Sequence, residues 1–262
     1  MLLIGETLNS SIPRTLEAIR TRNTEYLTEL ITLQERSGAE YLDLNTALTK
    51  EDELKYMEWL ISLISEHTNC GISIDSPDPE IIQKVLSVQK GRPILVNSVS
   101  LDSKYETLFG EIAFSNASVI GLPMKSGQIP QTVTERVANA KQLTQKLTQA
   151  GIAPKQIFVD ILVEPIATAP SSPAVAIETI RAIKVALPEV KTVCGLSNVS
   201  FGLPERADLN SAFLAMCMEA GLDAAILDIT SKEIQKTLSI GKALLGQDPF
   251  GMDYISFIRE GK

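Results

Sequence analysis

The chain is poor in the side chains that carry most enzymatic chemistry. Its 262 residues include one histidine, one tryptophan and three cysteines, and aromatics make up 5%. The histidine, His67, falls at the end of an expected helix, where meeting the last carbonyls is its ordinary role. A histidine-dependent triad therefore has nothing to assemble from. Cys70, Cys194 and Cys217 are odd in number and far apart, which suggests neither a disulfide framework nor a zinc site and makes a reducing cytoplasm the default location. No apolar run approaches the roughly 20 residues that span a bilayer. The N-terminal MLLIGETLN lacks a basic leader and a small-residue cleavage site, and reads as a first strand. Basic residues are outnumbered 24 to 32, and the net charge of -8 argues against nucleic acid or an anionic membrane as partner. With no long Ser/Gly/Pro linker and no low-complexity tract, residues 1–262 read as a single domain.

What is present is an alternation of short β-branched or apolar runs with longer stretches of helical period. Strands are expected at Leu2–Leu8, Glu40–Asn45, Gly71–Ser76, Pro93–Ser98, Ser118–Met124, Gln156–Leu162, Lys191–Asn198 and Ala224–Ile229. Helices are expected at Thr24–Ser37, Glu51–His67, Pro79–Gln89, Asp102–Asn116, Val133–Ala150, Pro173–Leu187, Ser211–Ala220 and Ser231–Leu245. In the second of these helices Leu54, Met57, Leu60, Ile61 and Ile64 recur at three- and four-residue steps, marking one buried face. Gly38, Gly151 and Gly221 each follow a helix where positive φ is needed to stop it. Thr132-x-x-Glu135 and Thr230-x-x-Glu233 resemble capping boxes. Eight alternations point to a closed (β/α)₈ TIM barrel. The competing open doubly wound sheet is expected to carry a glycine-rich phosphate loop after its first strand, and GETLNSSIP has a single glycine.

The strands end in carboxylates and amides. Glu6 and Asn9 close the first, Asp43 and Asn45 the second, Asp75 the third, Asn97 the fourth, Asp160 the sixth, Asn198 the seventh and Asp228 the eighth. In a barrel these ends meet at one rim. Taken singly, each is as well explained as a turn former, and Asp43 and Asp228 more readily so. Asp75, Asn97, Asp160 and Asn198 each follow directly on a strand core, which favours a common site. Acids and amides without a histidine or lysine cluster suit a flat heterocycle bearing N–H donors, such as a pterin. Catalysis by such a set rests on positioning and electrostatics. A divalent metal is the weaker alternative, because amides are as numerous as acids and no tight Asp-x-Asp pattern occurs. Cys194, Cys217 and Trp59 read as packing. Lys125 reads as a loop residue rather than a Schiff-base lysine.

The motifs IGETLN, EYLDLN, ISIDS, VNS, VDILVEP and GLSNVSFGLPERADLNSAFLAMCMEAGLDAAILD resemble methyltetrahydrofolate:corrinoid-protein methyltransferases and the folate domain of cobalamin-dependent methionine synthase. The likeness runs in order over nearly the whole chain, and GLSNVSF is its most specific part. It implies a pterin-binding barrel, usually dimeric, with tetrahydrofolate or 5-methyltetrahydrofolate as cosubstrate. By motif, Asp75, Asn97 and Asp160 match residues that hold the pterin. Asn198 matches the amide near N5, with Ser197 and Gly195 beside it. Arg206, expected in the loop after GLSNVSFGLP, matches a basic position near the ligand, and Glu6 lines the rim. Lys125, in MKSGQIP, is placed to meet a glutamyl tail.

The activity implied is methyl transfer between N5 and the cobalt of a corrinoid, with Asn198 and Asp160 as catalytic residues and no bound metal. The Asp-x-His-x-x-Gly signature of cobalamin modules is absent, so the corrinoid is expected on a separate protein. Acetyl-CoA synthesis and O-demethylation both use such a step, the second being slightly favoured. A dihydropteroate synthase-like enzyme is expected to end in Arg-x-His, and this tail reads DYISFIREGK. A class I aldolase and a non-catalytic folate-binding protein are the remaining rivals.

Overall fold

The structure is a computed structural model that describes residues 1–88 and 91–259. The strands are β1 Leu2–Gly5, β2 Tyr41–Asn45, β3 Gly71–Asp75, β4 Ile94–Ser100, β5 Ser118–Leu122, β6 Ile157–Asp160, β7 Lys191–Gly195 and β8 Ala224–Leu227. They pair in chain order, all parallel, and β8 returns to β1 through Leu2↔Ala224 and Gly5↔Leu227, closing the barrel. The α-helices are α1 Pro13–Thr21, α2 Thr24–Arg36, α3 Glu53–His67, α4 Pro79–Val88, α5 Glu106–Ser115, α6 Val133–Gln149, α7 Ser172–Ala186, α8 Arg206–Glu219, α9 Lys232–Leu244 and α10 Met252–Arg259. This is the (β/α)₈ barrel expected from the alternation.

Period-two alternation sorts the apolar side chains into two cores. Ile4, Leu95, Ile120, Phe158, Val193, Ala224 and Ile226 fill the barrel interior as a separate cluster. The opposite strand faces join the helices in a larger shell, to which α3 contributes Met57, Leu60, Ile61 and Ile64. Close packing of this shell requires glycine at Gly121, where a Cβ would lie 2.8 Å from Leu143 of α6. Gly38, Gly151 and Gly221 stand at φ +98°, +99° and +91° behind α2, α6 and α8, as the helix-stop reading expected. Cys194 and Cys217 are both buried, and Trp59 packs against the shell.

Several boundaries differ from expectation. The expected strand Lys191–Asn198 leaves the ladder at Gly195, and Leu196–Ser200 turns into a 3₁₀ segment. Helix α8 starts at Arg206 rather than Ser211, so Arg206 is its first residue and not part of the preceding loop. Thr132 and Glu135 form the expected capping box, but α9 is capped by Ser231, whose hydroxyl accepts from the Ile234 N–H. Thr230 instead donates its hydroxyl to Asp228. Helix α4, expected to reach Gln89, is described to Val88, and Gln89 lies outside the described residues. Helices α1 and α10 were not anticipated. The first begins with Pro13, whose missing N–H is no loss at that position, and buries Thr15, Ala18 and Ile19.

Arg136 of α6 shows how the frame holds the loop that follows β6. Its guanidinium is 1% exposed, donates to Pro130 O at 2.9 Å and to Ile161 O at 2.6 Å, and stands 3.7 Å from Glu164. Arg136→Met would leave those buried carbonyls and the partly buried carboxylate unserved. We expect a loss of about 3 kcal/mol in urea unfolding, since unpaired buried polar groups of this kind carry that order of penalty.

Candidate active site

Above the apolar plug, the inward-facing positions of the strands turn polar. Alternation puts Glu6 two residues beyond Ile4, Asp43 and Asn45 beyond Tyr41, Ser73 and Asp75 beyond Gly71, and Asp160 beyond Phe158. Strand register sets Asp43 beside Ser73, Asn45 beside Asp75, and Asp75 beside Asn97. The carboxylates and amides thus form one arc. Asn45 Nδ2 donates to Asp75 Oδ2 at 2.9 Å, and Asn97 Nδ2 donates to Asp43 Oδ1 at 3.1 Å. Ser73 Oγ donates to the same Asp43 oxygen at 2.6 Å. Behind Asn45, Ser10 Oγ and the Ala47 N–H both donate to its Oδ1.

Asp160 closes β6 and serves its own loop. Its Oδ1 accepts from the Leu162 N–H at 2.7 Å. Leu162 is held at φ +56°, a left-handed conformation that a leucine adopts only under constraint. The bond to Asp160 and the grip of Arg136 on Ile161 supply that constraint. Among the described residues nothing donates to Asp160 Oδ2.

The other arc of the rim is built from the segment after β7. Asn198 is exposed, and its Nδ2 lies 3.0 Å from where a Cβ on Gly195 would stand, so glycine there lets the amide fold back over the strand end. Ser197 donates its hydroxyl to Glu6 across the mouth. Arg206 donates to Ser197 O at 2.9 Å and to Ser200 Oγ at 3.0 Å. The turn that presents Asn198 is therefore tied to β1 on one side and to α8 on the other. A cavity of about 820 Å³ opens here, lined by Glu6, Asn198, Phe201, Arg206, Asn210 and Asp228 among others. Asp75, Asn97 and Asp160 do not line it; they stand on the opposite arc. A second cavity, of about 910 Å³, lies between α4 and α5 at the other end of the barrel. Its one arginine, Arg92, is committed to the carbonyls of Cys70 and Thr68. Among the described residues no group of three or more His, Cys, Asp or Glu is placed to hold a metal ion.

Burial dominates the electrostatics. It pushes Asp43 up to about 6, against hydrogen bonds from Ser73 and Asn97 and with the charge of Glu6 adding to the rise. Asp75 is pushed up to about 8, first by burial and then by the charge of Asp43. Asp160 is raised to about 6 by burial, opposed by the Leu162 N–H and by Arg136. Glu6 is also raised, chiefly by burial, with Ser197 opposing. The mouth thus holds protons near neutrality that solvated carboxylates would have released.

Two readings of individual residues need correction. Asp43, expected more readily as a turn former, is 2% exposed and sits inside the barrel among Ser73, Asn97 and Asp75. The signal was its parity: in LDLN, Asp43 and Asn45 share a strand face, so both point inward if either does. Arg206 belongs to the start of α8 and braces the Asn198 turn. Asp228 does act as a turn former, accepting from the Thr230 N–H and hydroxyl. Lys125 is exposed and bridges Gln128 in its loop.

Comparison with known proteins agrees with this geometry. A family profile described as pterin binding enzyme matches residues 5–228. The chain is 31% identical over its full length to a methylcorrinoid:tetrahydrofolate methyltransferase of Eubacterium limosum, covering 97% of that protein. It is also 31% identical over 241 residues to methionine synthase of Mycobacterium tuberculosis, of which it spans only 20%. Among solved structures, dihydropteroate synthase from Stenotrophomonas maltophilia superposes with a TM-score of 0.69 over 93% of this chain and 92% of that one; at 17% identity this speaks to the fold alone. The chain belongs to the pterin-binding enzymes and, within them, to the methyltransferase family of methyltetrahydrofolate and corrinoid proteins.

Proposed function

We propose that the protein moves a methyl group between N5 of tetrahydrofolate and the cobalt of a corrinoid carried by a separate protein. The observation that carries this reading is the pairing of two arcs at one rim. One is a half-buried set of acids and amides, Asp75, Asn97 and Asp160, suited to the donor-rich edge of a pterin. The other is an open turn presenting Asn198 and Ser197, with Gly195 beneath and Glu6 and Arg206 in support. The direction from methylcorrinoid to tetrahydrofolate is favoured by the likeness to the methylcorrinoid:tetrahydrofolate methyltransferase of E. limosum, and it fits an O-demethylation system better than acetyl-CoA synthesis. The reading includes a cytoplasmic homodimer of single-domain chains. No described helix is long and apolar enough to cross a membrane.

The chain's own groups bind, orient and hold protons. Asp75, Asn97 and Asp160 Oδ2 offer acceptors to the ring's N–H and amino groups. N5 carries a proton in one form of the substrate and a methyl group in the other. A carboxamide has both a donor and an acceptor, so Asn198 can meet N5 in either state without an enzyme nucleophile. The corrinoid supplies or takes the methyl group at cobalt. When tetrahydrofolate is the acceptor, the N5–C bond forms as the cobalt–carbon bond breaks, the electron pair stays on cobalt, and the N5 proton passes to solvent. In reverse, N5 must gain positive character, and Asp160 and Glu6, both held above the usual carboxylate range, keep protons close by.

A dihydropteroate synthase-like activity is the second reading, since the pterin binding enzyme profile that matches residues 5–228 does not by itself separate the two. The sequence has no histidine beyond His67 to supply its expected Arg-x-His. Glu260, Gly261 and Lys262 of the tail that bears on it lie outside the described residues. Release of pyrophosphate from a pterin diphosphate would establish that activity; binding of folate with no transfer to any corrinoid protein would establish a mere carrier.

Two outcomes test the proposal. Asn198→Ala is expected to slow methyl transfer at saturating folate by about tenfold to a hundredfold, followed by cobalt absorbance with a corrinoid protein. An unchanged rate would remove Asn198 from the mechanism. The affinity for tetrahydrofolate should rise between pH 6 and 8 and level off above. A donor edge favours ionised Asp75, so binding expels a proton that the free site holds up to about pH 8. Calorimetry in buffers of different ionisation enthalpy reads that proton directly, and Asp75→Asn should abolish it.

A further inference from the structure

Resting on the pterin-binding reading above, we propose that Asp43 is a positioning residue that sets the orientation of the Asn97 carboxamide and so leaves the amide oxygen, an acceptor, to meet the ligand. An asparagine side chain is ambivalent: turned one way it offers an oxygen, turned the other an NH₂. At Asn97 the choice is made from below. Asp43 Oδ1 takes the Nδ2 hydrogen at 3.1 Å, and ionised Asp43 has nothing to donate in return. Ser73 Oγ holds that same Asp43 oxygen in place at 2.6 Å, and Asp43 is too deeply buried for water to substitute readily. Asn97 Oδ1 is thereby left as its only free hydrogen-bonding atom besides the second Nδ2 hydrogen.

The neighbouring groups are pinned in the same sense. Asn45 spends its Nδ2 on Asp75 Oδ2, because Ser10 and the Ala47 N–H occupy its oxygen. Asp160 Oδ1 is occupied by the Leu162 N–H. Three oxygens remain without a donor among the described residues, Asp75 Oδ1, Asn97 Oδ1 and Asp160 Oδ2, and none is sealed from solvent. An edge made of amino and ring N–H groups satisfies all three once Asp75 has given up its proton. A carbonyl or an unprotonated ring nitrogen placed against Asn97 Oδ1 or Asp160 Oδ2 would set acceptor against acceptor and lose a hydrogen bond. Asp43 thus contributes to specificity through Asn97, by fixing which of two chemically opposite faces the amide shows.

The test is a mutant cycle read by calorimetry with tetrahydrofolate, with thermal unfolding run alongside. Asp43→Leu removes the acceptor at similar volume and is expected to weaken binding by about tenfold or more, while Asn97→Ala, costly in the wild type, should add less than about threefold in that background. Asn97→Asp sets two carboxylates against each other and should bind poorly. The exchange Asp43→Asn with Asn97→Asp lets position 43 donate to position 97, leaves an oxygen facing the ligand, and should recover most of the lost affinity. Wild-type affinity in Asp43→Leu, independent losses in the cycle, or no recovery in the exchanged pair would overturn the role. If Asp43→Leu does not fold, the exchanged pair alone decides it. Absence of binding by the wild-type protein would instead remove the functional reading itself.

Discussion

The structure depends on keeping carboxylates ionisable where water is scarce. A carboxylate withdrawn from solvent is penalised unless hydrogen bonds or opposite charge replace its hydration. At this barrel mouth the replacement comes from neutral donors. Ser73 and Asn97 serve Asp43, Asn45 serves Asp75, and the Leu162 N–H serves Asp160. Among the described residues Arg136 alone brings positive charge to bear on this arc, and it reaches Asp160 from behind the sheet. The compensation is incomplete, so the acids titrate near neutrality. Complete compensation by buried arginines would have left them as spectators, permanently ionised and already paired.

The rest of the fold can be understood as what this arrangement needs beneath and around it. The apolar plug of Ile4, Leu95, Ile120, Phe158, Val193, Ala224 and Ile226 fills the barrel beneath the polar layer. Parallel register carries the acids of neighbouring strands to one level, which is why Asp75 meets both Asn45 and Asn97. The loops are fixed by side chains reaching from the helices. Gln34 of α2 lies against Gly5, where any Cβ would collide with it, and its Oε1 accepts the Thr7 N–H just beyond Glu6. Arg136 does the same for the loop after β6, and Arg206 for the Asn198 turn.

Much of this was legible from the chain. Apolar runs of four to seven residues alternating with helical period specify a barrel because a parallel sheet covered by helices must be apolar on both faces. The acids and amides stand out against that background because they interrupt it at one end of each strand. What was not legible follows from the same physics. Asp43 lies one inward position below the rim, where a residue type common in turns is indistinguishable by composition, and only strand parity betrays it. The start of α8 at Arg206 was missed because GLPER carries turn residues and no apolar period. Glu205, in a left-handed conformation, precedes the helix without a side-chain cap. Helix α1 was missed for a related reason: its short face of Thr15, Ala18 and Ile19 is too small to show a period.

The asymmetry of the rim bears most directly on mechanism. Were the protein to act on a substrate wholly enclosed in the barrel, both arcs would be expected to close over it. Instead the acid arc is half-buried and internally bonded, while the Asn198 arc is open, with Asn198 exposed and Phe201 66% exposed beside a cavity that faces solvent. A small ring gripped on the first arc would leave one edge turned toward the second. Transfer to a metal centre on another protein requires that geometry, because the second reactant is too large to enter and the reacting nitrogen must be reachable from outside. The scarcity of histidine and of reactive cysteine then follows without further assumption. In the proposed reaction both reacting atoms belong to the substrates, and the chain has only to hold one of them, set its protonation and leave it accessible.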